Sequence, residues 1–193
     1  MATQLSDKEL ERFKRQLTLS GYTKDHQIKM KGSTALIAGI GGVGGTAALY
    51  LAIAGIGRLK LVHAGVLTSS NLNRQILMTE DWIGKTRVDC AKATIHRIAS
   101  GVQVDIYNER MTLDNSADFV RDADVAVSAR PNFPERCALN SAYWFIFRDR
   151  HSLGRFHFSP ERSETLYGNR CCSHAFTPSE TCNAPQTGHL GSR

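Results

Sequence analysis

The sequence predicts an α/β protein with a doubly wound, mainly parallel sheet. Short apolar strand candidates alternate with helical segments, and a glycine-rich turn directly follows the first of these strands. Of the 193 residues, 41% are hydrophobic and 22% are charged, which is enough apolar material to form a core. Together these observations indicate a Rossmann-like domain.

The predicted elements follow one another along the first 144 residues. Ser6 and Glu9 form a capping box that opens the first helix. Four short segments are predicted to be strands: mainly apolar runs at residues 35–38, 59–62 and 124–127, and an alternating segment at 102–107. Composition and spacing predict helices at residues 46–54, 88–98, 116–120 and 137–144. Gly55 is expected to end the helix at 46–54.

Charge and composition exclude several classes of protein. No run reaches 18 apolar residues, and the charged N-terminus lacks the apolar segment of a secretory signal, so we expect neither a membrane span nor secretion. The five cysteines form no C-x-x-C pair, which predicts reduced thiols in a cytoplasmic protein. The net charge of +6 is spread along the chain and is typical of a solvated basic surface, so we expect no nucleic-acid or membrane partner.

The composition changes near residue 144. Residues 145–193 contain no Lys, four of the seven His and three of the five Cys, and they show no further strand or helix period. We therefore predict a folded domain at residues 1–144 and an irregular tail of no recognisable fold at 145–193. A frame shift in the gene is the simplest cause of this tail, and a divergent tail is the alternative.

A G-x-G-x-x-G motif lies between the first strand and the following helix. Glycines permit a tight turn and let a phosphate approach the backbone N–H groups at the positive end of the helix. The alternative is that the glycines serve only the packing of helix on sheet. The chain contains no P-loop motif. The candidate nucleotide-binding glycines are Gly39, Gly41, Gly42 and Gly44.

The end of the second predicted strand carries His63. A dinucleotide-binding fold usually places a carboxylate there to hold the ribose hydroxyls. A neutral imidazole can bond a hydroxyl, but it cannot supply the usual pair of carboxylate acceptors. His63 is therefore a candidate ribose contact, with an ordinary structural histidine as the alternative, and a dehydrogenase is disfavoured.

A second polar cluster follows at residues 70–75. Arg74 offers a planar fork for phosphate oxygens, and Asn71 can bind a phosphate or a hydroxyl. Lys85 and Arg87 come shortly before the next predicted helix. All four side chains could converge on a polyphosphate, although a solvated charge is the alternative for any one cation.

These motifs together resemble the ThiF/MoeB/HesA family, which is related to the ubiquitin-activating E1 enzymes. The matching segments are residues 12–16, 39–44, 70–75 and 132–136, while residues 45–52 and 76–85 resemble the HesA branch in particular. The resemblance covers about residues 8–144, roughly the first half of a full-length relative. It makes residues 1–144 a truncated E1-like nucleotide-binding domain.

The resemblance implies an ATP-dependent adenylyltransferase that uses Mg²⁺ and works as a homodimer. In this family the C-terminal carboxylate of a small ubiquitin-like or sulfur-carrier protein ending in Gly-Gly attacks the α-phosphate of ATP. Arg74 and Asn71 match phosphate-binding positions, and Arg15 matches an arginine that relatives insert into the partner subunit's site. The HesA branch is associated with nitrogen fixation, so a role there or in metallocofactor or sulfur metabolism is expected.

Three positions depart from the family pattern. His63 stands where the family has its ribose aspartate, and Arg87 replaces the lysine of its Gly-Lys-x-Lys-type turn. Pro131 stands at the metal-binding aspartate and has no ligand atom, so no metal ligand is assigned. Relatives often hold zinc with two C-x-x-C pairs, which this chain lacks, so we expect no zinc.

Three functions are consistent with these patterns. The first is ATP-dependent activation of a small carrier protein, with Arg74, Asn71, Arg15 and Arg87 as catalytic candidates. The second is a non-catalytic nucleotide-binding or interaction protein, because Pro131 and the limited span of the match remove catalytic parts. The third is an NAD-linked oxidoreductase, which His63 and the cluster at residues 70–75 argue against.

Overall fold

The structure is a computed structural model that describes the backbone of residues 4–150 and the side chains of residues 4–143. Its helices and strands run in the order α1 Asp7–Arg12, α2 Lys24–Lys31, β1 Thr34–Ala38, α3 Gly42–Ala54, β2 Arg58–Val62, α4 Arg87–Ile98, β3 Gln103–Tyr107, α5 Ser116–Val120, β4 Val125–Ser128 and α6 Phe133–Arg150. Short 3-10 turns lie at Gln16–Thr18, Ser69–Asn71 and Glu80–Trp82.

The four strands form one parallel sheet in the order β3-β2-β1-β4. The chain moves outward from β1 to β2 and β3, and it then returns to the other side of β1 to add β4. In such sheets the ligand lies outside the carboxyl ends of the strands, at the point where the strand order reverses. That point is here between β1 and β4, and the predicted doubly wound fold is confirmed.

Both faces of the sheet are covered, because alternate residues of the strands enter two different cores. Ala35 and Ile37 of β1 pack with α3 and α4 in the first core, whereas Leu36 and Ala38 pack with α5 and α6 in the second. Leu36 and Ile37 are both fully buried. A strand buried on both faces reads as a continuous apolar run, which is why β1 is visible in the sequence.

The nine predicted elements are all present, with some shifted ends. α3 begins at Gly42, four residues before the predicted start, because Gly42 and Gly44 already belong to the helix. α6 continues past residue 144 to Arg150. The rest of the predicted tail, residues 151–193, lies outside the described residues, so the division into domain and tail stays a prediction.

α2 is missing from the sequence-based prediction because it is almost entirely polar. Its sequence, KDHQIKMK, has no apolar period, and Thr23 and His26 form the capping box that begins it. Among the residues that the structure describes, no helix combines the length and the apolar character that crossing a membrane requires.

The N-terminal segment is docked on the C-terminal end of α3. Gln27 is fully buried, and its Nε2 donates a hydrogen bond of 2.9 Å to the Ala54 carbonyl, which also accepts from Gln16 Nε2 at 3.1 Å. Gly55 ends α3 in the left-handed conformation, with φ of 97°. A Cβ at Gly55 would lie 2.5 Å from the Phe13 ring, so this glycine also allows the close approach of the segment.

The start of α3 approaches the end of β1 more closely than a side chain would allow. A Cβ at Gly44 would lie 1.7 Å from the carbonyl oxygen of Gly39 and 2.9 Å from the Cβ of Ala129. Gly39 itself has a φ of 96°, which favours glycine. The last glycine of the motif is therefore needed for the packing of helix on turn.

We expect Gly44→Ala to lower the free energy of unfolding by about 1–3 kcal/mol or more, because the new methyl group meets backbone that cannot move aside. The measurement is thermal unfolding followed by circular dichroism. Gly101→Ala is the matched control, since a Cβ there meets nothing within 4 Å and no left-handed φ is involved. Equal melting temperatures for the two variants would contradict this packing role.

Candidate functional site

The first component of the site is the open turn at the start of α3. Gly41 is the N-cap of this helix and has no side chain to satisfy the first N–H groups, which are left without partners inside the helix. A Cβ at Gly41 would meet only Gln75 Nε2, at 3.8 Å, so the space above this residue is open. The turn thus presents N–H donors and the positive end of a helix to open space, an arrangement that suits an anion.

His63 lies next to this turn, immediately after β2. Its backbone N–H donates to the Tyr107 carbonyl at 3.0 Å, and its Nδ1 accepts from the Ile40 N–H at 3.1 Å. The Nη1 of Arg130 lies 2.8 Å from the same Nδ1. Since Nδ1 accepts, the neutral ring carries its hydrogen on Nε2. That Nε2 is buried and has no hydrogen-bond partner among the described residues.

The surroundings of His63 keep its ring neutral. Burial, followed by the nearby positive charges of Arg87 and Arg130, lowers the pKa of His63 to about 3, against a smaller opposing effect of the Glu135 carboxylate. The side chain therefore offers one N–H donor at neutral pH. In dinucleotide-binding folds this position carries a carboxylate, which accepts hydrogen bonds. Here it carries the His63 ring, which offers a hydrogen-bond donor.

Arg130 crosses the beginning of the glycine turn. Its Cδ lies 2.6 Å from the place where a Cβ of Gly39 would be. Its Nη2 donates to Glu135 Oε1 at 2.8 Å, and its Nε donates to the other oxygen of the same carboxylate. Asn132 Nδ2 also donates to Glu135 Oε1, at 2.8 Å. Burial raises the pKa of Glu135, but these hydrogen bonds outweigh it and hold the pKa below its usual value.

Arg87 adds a second guanidinium to the same region. Its Nη2 donates to the Ala64 carbonyl at 3.1 Å, and a Cβ at Gly65 would lie 2.8 Å from that nitrogen. Its Nε is buried without a partner among the described residues. Burial lowers the pKa of Arg87, as do the positive charges of Arg130 and Arg74. Three guanidinium groups thus lie within electrostatic reach of one another, which favours an anionic ligand.

Arg74 is brought to the start of α3 by its backbone. A Cβ at Gly42 would lie 3.3 Å from the Arg74 carbonyl oxygen. The exposed side chain donates from Nη1 to the Ser70 carbonyl at 3.0 Å and to Asn73 Oδ1 at 2.8 Å. Both acceptors belong to the same loop, so the loop itself orients this guanidinium beside the glycine turn.

The other predicted residues are less closely connected to the turn. Asn71 accepts with Oδ1 from the N–H and the hydroxyl of Thr68, both at 3.0 Å, which leaves only its Nδ2 for a ligand. The Lys85 ammonium lies 5.0 Å from the centre of the Trp82 ring. Arg15 is exposed beside the Gln16–Thr18 turn. The roles assigned to these three residues stay predictions.

Sequence reasoning missed two parts of the site, Arg130 with its partner Glu135, and Gln75. Arg130 follows β4, and β4 pairs with β1 in register, from Ala35↔Val125 to Ala38↔Ser128. The shared carboxyl edge of parallel strands could have pointed to Arg130, but only if β4 had been placed beside β1. Gln75 is buried with its Oε1 unpartnered among the described residues, a second polar atom near the turn.

The described residues do not fit the metal site that the family resemblance implies. Within residues 4–143 no group of three or more His, Cys, Asp or Glu side chains could hold a metal ion. Pro131 carries no donor atom, and both oxygens of the neighbouring Glu135 carboxylate already accept hydrogen bonds. The positive charge at this place comes from arginine side chains.

The match to the ThiF family covers residues 13–146, more than half of the chain, and the chain belongs to this family. Its fold and motifs therefore have a shared family origin, and the resemblance drawn from the sequence is confirmed.

The HesA branch is also supported by the curated relatives. Protein HesA, heterocyst, of Trichormus variabilis is 47% identical over 138 residues, which cover 72% of this chain and 52% of the relative. Protein HesA of Leptolyngbya boryana is 47% identical over 138 residues, covering 72% and 50%. The chain spans about half the length of these relatives. The adenylyltransferase and sulfurtransferase MOCS3 of Culex quinquefasciatus is 34% identical over 140 residues, covering 72% and 32%.

Solved structures share the fold. The E. coli tRNA N6-threonylcarbamoyladenosine dehydratase TcdA, in complex with ATP, superimposes with a TM-score of 0.67 at 26% identity, covering 75% of this chain and 58% of that one. PaaA gives a TM-score of 0.66 at 30% identity, covering 78% and 47%. E. coli MccB gives 0.62 at 27% identity, covering 70% and 39%.

The neutral, buried His63 makes folding sensitive to acid. Its pKa of about 3 in the folded protein compares with 6.5 when unperturbed, so between these values the unfolded chain binds a proton that the folded chain does not. This contribution to stability is fully present above pH 6.5 and falls as the pH drops, by up to about 1.4 kcal/mol per pH unit. We expect His63→Asn to flatten the slope between pH 6.5 and about pH 5, measured by chemical denaturation at each pH.

Asn retains an oxygen that can accept from the Ile40 N–H but has no titrating group, so the loss of the slope would report the ring alone. His96→Asn removes a histidine from α4 and is the matched control, with the wild-type slope expected. A wild-type slope in His63→Asn would contradict a neutral imidazole at this site.

Proposed function

We propose that this chain supplies the nucleotide-binding part of an ATP-dependent adenylyltransferase. In this reaction the enzyme activates the C-terminal carboxylate of a small ubiquitin-like or sulfur-carrier protein that ends in Gly-Gly. The observation that carries the proposal is the open glycine turn at the start of α3, with the side chain of Arg130 at its beginning and Arg74 against Gly42. This arrangement suits a polyphosphate, whose oxygens need N–H donors and positive charge.

The relatives support a nucleotide ligand. TcdA was solved in complex with ATP and also in complex with AMP, and both structures share the fold of this chain at 26% identity. MOCS3 is named as an adenylyltransferase and sulfurtransferase, and MccB was solved with MccA-N7isoASN. A nucleotide at the turn agrees with the ATP and AMP complexes of TcdA, and transfer of an adenylyl group agrees with the name of MOCS3.

The reaction joins two anions, so neutralisation of charge is the main task of the residues. A carboxylate oxygen forms a bond to the α-phosphorus, the bond from that phosphorus to the bridging oxygen breaks, and pyrophosphate leaves with the electron pair. Arg74 and Arg87 would face the phosphates, and the N–H groups of the turn would hold one of them. His63 Nε2 would donate to an oxygen of the nucleotide, and the ribose is the candidate that the sequence position suggests.

The proposal extends to the assembly and the setting of the protein. We infer a homodimer in the cytoplasm, with Arg15 of one subunit reaching the site of the other. The matches to HesA relatives suggest a role in nitrogen fixation or in metallocofactor or sulfur metabolism. The match covers about half the length of those relatives, so the activity of the whole protein and the identity of its partner belong to this proposal.

A second candidate is a non-catalytic nucleotide-binding protein. Pro131 favours it, because proline at the family's metal-binding position has no side-chain ligand atom. A site without that ligand could bind ATP without transferring the adenylyl group. An NAD-linked oxidoreductase is less consistent with the site, because His63 offers a donor where a carboxylate would hold the ribose.

We expect Arg74→Ala to lower the rate of ATP–pyrophosphate exchange by about 10²–10³-fold and to weaken ATP binding much less. Negative charge on the phosphate oxygens is greatest in the transition state, where this guanidinium would act. The assay uses the full chain and candidate carrier proteins that end in Gly-Gly. Arg121→Ala, which changes an exposed arginine that directly follows α5 and pairs with Asp118, should keep the wild-type rate. A wild-type rate in Arg74→Ala would contradict the assignment, and no exchange by the wild-type chain would favour the second candidate.

Mixing two inactive variants tests the role of the second subunit. If Arg15 completes the partner's site, Arg15→Ala and Arg74→Ala mixed in equal amounts regain about a quarter of the wild-type sites, because half of the dimers hold one intact site. The readout is the same exchange assay after subunits have been allowed to re-equilibrate. Absence of any recovery in dimers shown to mix, or full activity of a monomer, would count against a shared site.

A further inference from the structure

We propose that the Arg130 guanidinium supplies the positive charge that a divalent cation supplies elsewhere in the family, so that this chain binds ATP without Mg²⁺. The inference rests on the proposed function, since it concerns the same nucleotide site. Arg130 is not among the site residues predicted from the sequence, and Mg²⁺ is the cation that the family resemblance implies.

The first support is the position of Arg130. Its side chain crosses Gly39 at the beginning of the turn, and its Nη1 contacts the same His63 nitrogen that accepts from the Ile40 N–H. The next residue in the chain is Pro131, the position that carries the metal-binding aspartate in the family. The guanidinium therefore stands beside the place from which a metal ligand is missing.

The second support is the way the guanidinium is held. Two hydrogen bonds to the Glu135 carboxylate fix its orientation, and the arginine and glutamate side chains are 11% and 9% exposed. Asn132 holds the same carboxylate and also accepts the Glu135 N–H at 3.0 Å at the start of α6. A guanidinium has five N–H donors, so Arg130 keeps donors for a ligand after these contacts and the one to His63.

The third support is the balance of charge. The cluster holds the guanidinium groups of Arg74, Arg87 and Arg130 against the single carboxylate of Glu135, and His63 is neutral. A divalent cation would be repelled by three positive groups, and the Glu135 carboxylate, the charged oxygen ligand that the described residues place in this cluster, already accepts from Arg130 and Asn132. The same groups attract the triphosphate, whose negative charge is greatest when no metal is bound.

The proposal is tested by calorimetric titration of the full chain with ATP, in EDTA and in excess Mg²⁺ at equal ionic strength, since screening alone changes such affinities. We expect the dissociation constant in EDTA to equal or lie below the value in Mg²⁺. Binding that is at least threefold tighter with Mg²⁺ would overturn the inference and leave the proposed function standing. Absence of ATP binding under both conditions would overturn the proposed function as well.

A pair of variants isolates the charge of Arg130 without leaving Glu135 buried alone. Glu135→Gln keeps the arginine, and Arg130→Gln/Glu135→Gln replaces the ion pair by two neutral amides of similar shape. In EDTA we expect the double variant to bind ATP at least fivefold more weakly than Glu135→Gln, because one charge-assisted contact is lost. Unfolding curves for both variants verify that they are folded. A difference below fivefold between two folded variants would overturn the role of Arg130.

Discussion

The hydrogen bond from the Ile40 N–H to His63 Nδ1 connects the parts on which the site depends. It joins the glycine turn after β1 to the end of β2, and Arg130 brings the segment after β4 to the same nitrogen. A buried ring that accepts two N–H donors must be neutral and must carry its hydrogen on Nε2. One imidazole thus connects three strand ends and keeps a buried Nε2 donor that has no partner among the described residues.

The glycines of the motif divide between two physical tasks. At Gly44 the helix touches the turn so closely that a Cβ would overlap the Gly39 carbonyl, so this residue is needed for packing. At Gly41 the space beyond the backbone is open, so this residue leaves room for a ligand. Packing of helix on turn therefore explains why position 44 is glycine, but it does not explain why position 41 is glycine.

Much of the fold could be predicted from the sequence because the strands are short segments that are mainly apolar or alternate in polarity. The clearest case is residues 35–38 of β1, a strand that is buried on both faces and is therefore continuously apolar; in β2, residues 59–62 keep this pattern except at Lys60, whose ammonium donates to the Phe119 carbonyl. α2 could not be predicted in this way, because it has no apolar stripe and is held instead through Gln27 and its contact with Ala54. Periodicity reports burial, and a polar helix fixed by hydrogen bonds gives no such signal.

The site was predictable only in part for a related reason. Motifs local in sequence, such as the glycine turn and Arg74, can be found from spacing, and the structure places these two together. Arg130 joins them only because β4 returns beside β1, a pairing between segments about 90 residues apart. Among the groups around His63, Arg130 depends on that same crossover, and the burial that lowers the pKa of His63 is not encoded in any short motif.

The central claim, that ATP binds against the glycine turn at the start of α3, can be tested most directly by amide hydrogen exchange of the full chain with and without saturating ATP. We expect the amides of residues 41–44 to exchange more slowly in the presence of ATP, because a phosphate would accept their hydrogen bonds. Slower exchange confined to other segments, with residues 41–44 unchanged at saturation, would contradict the proposed binding mode.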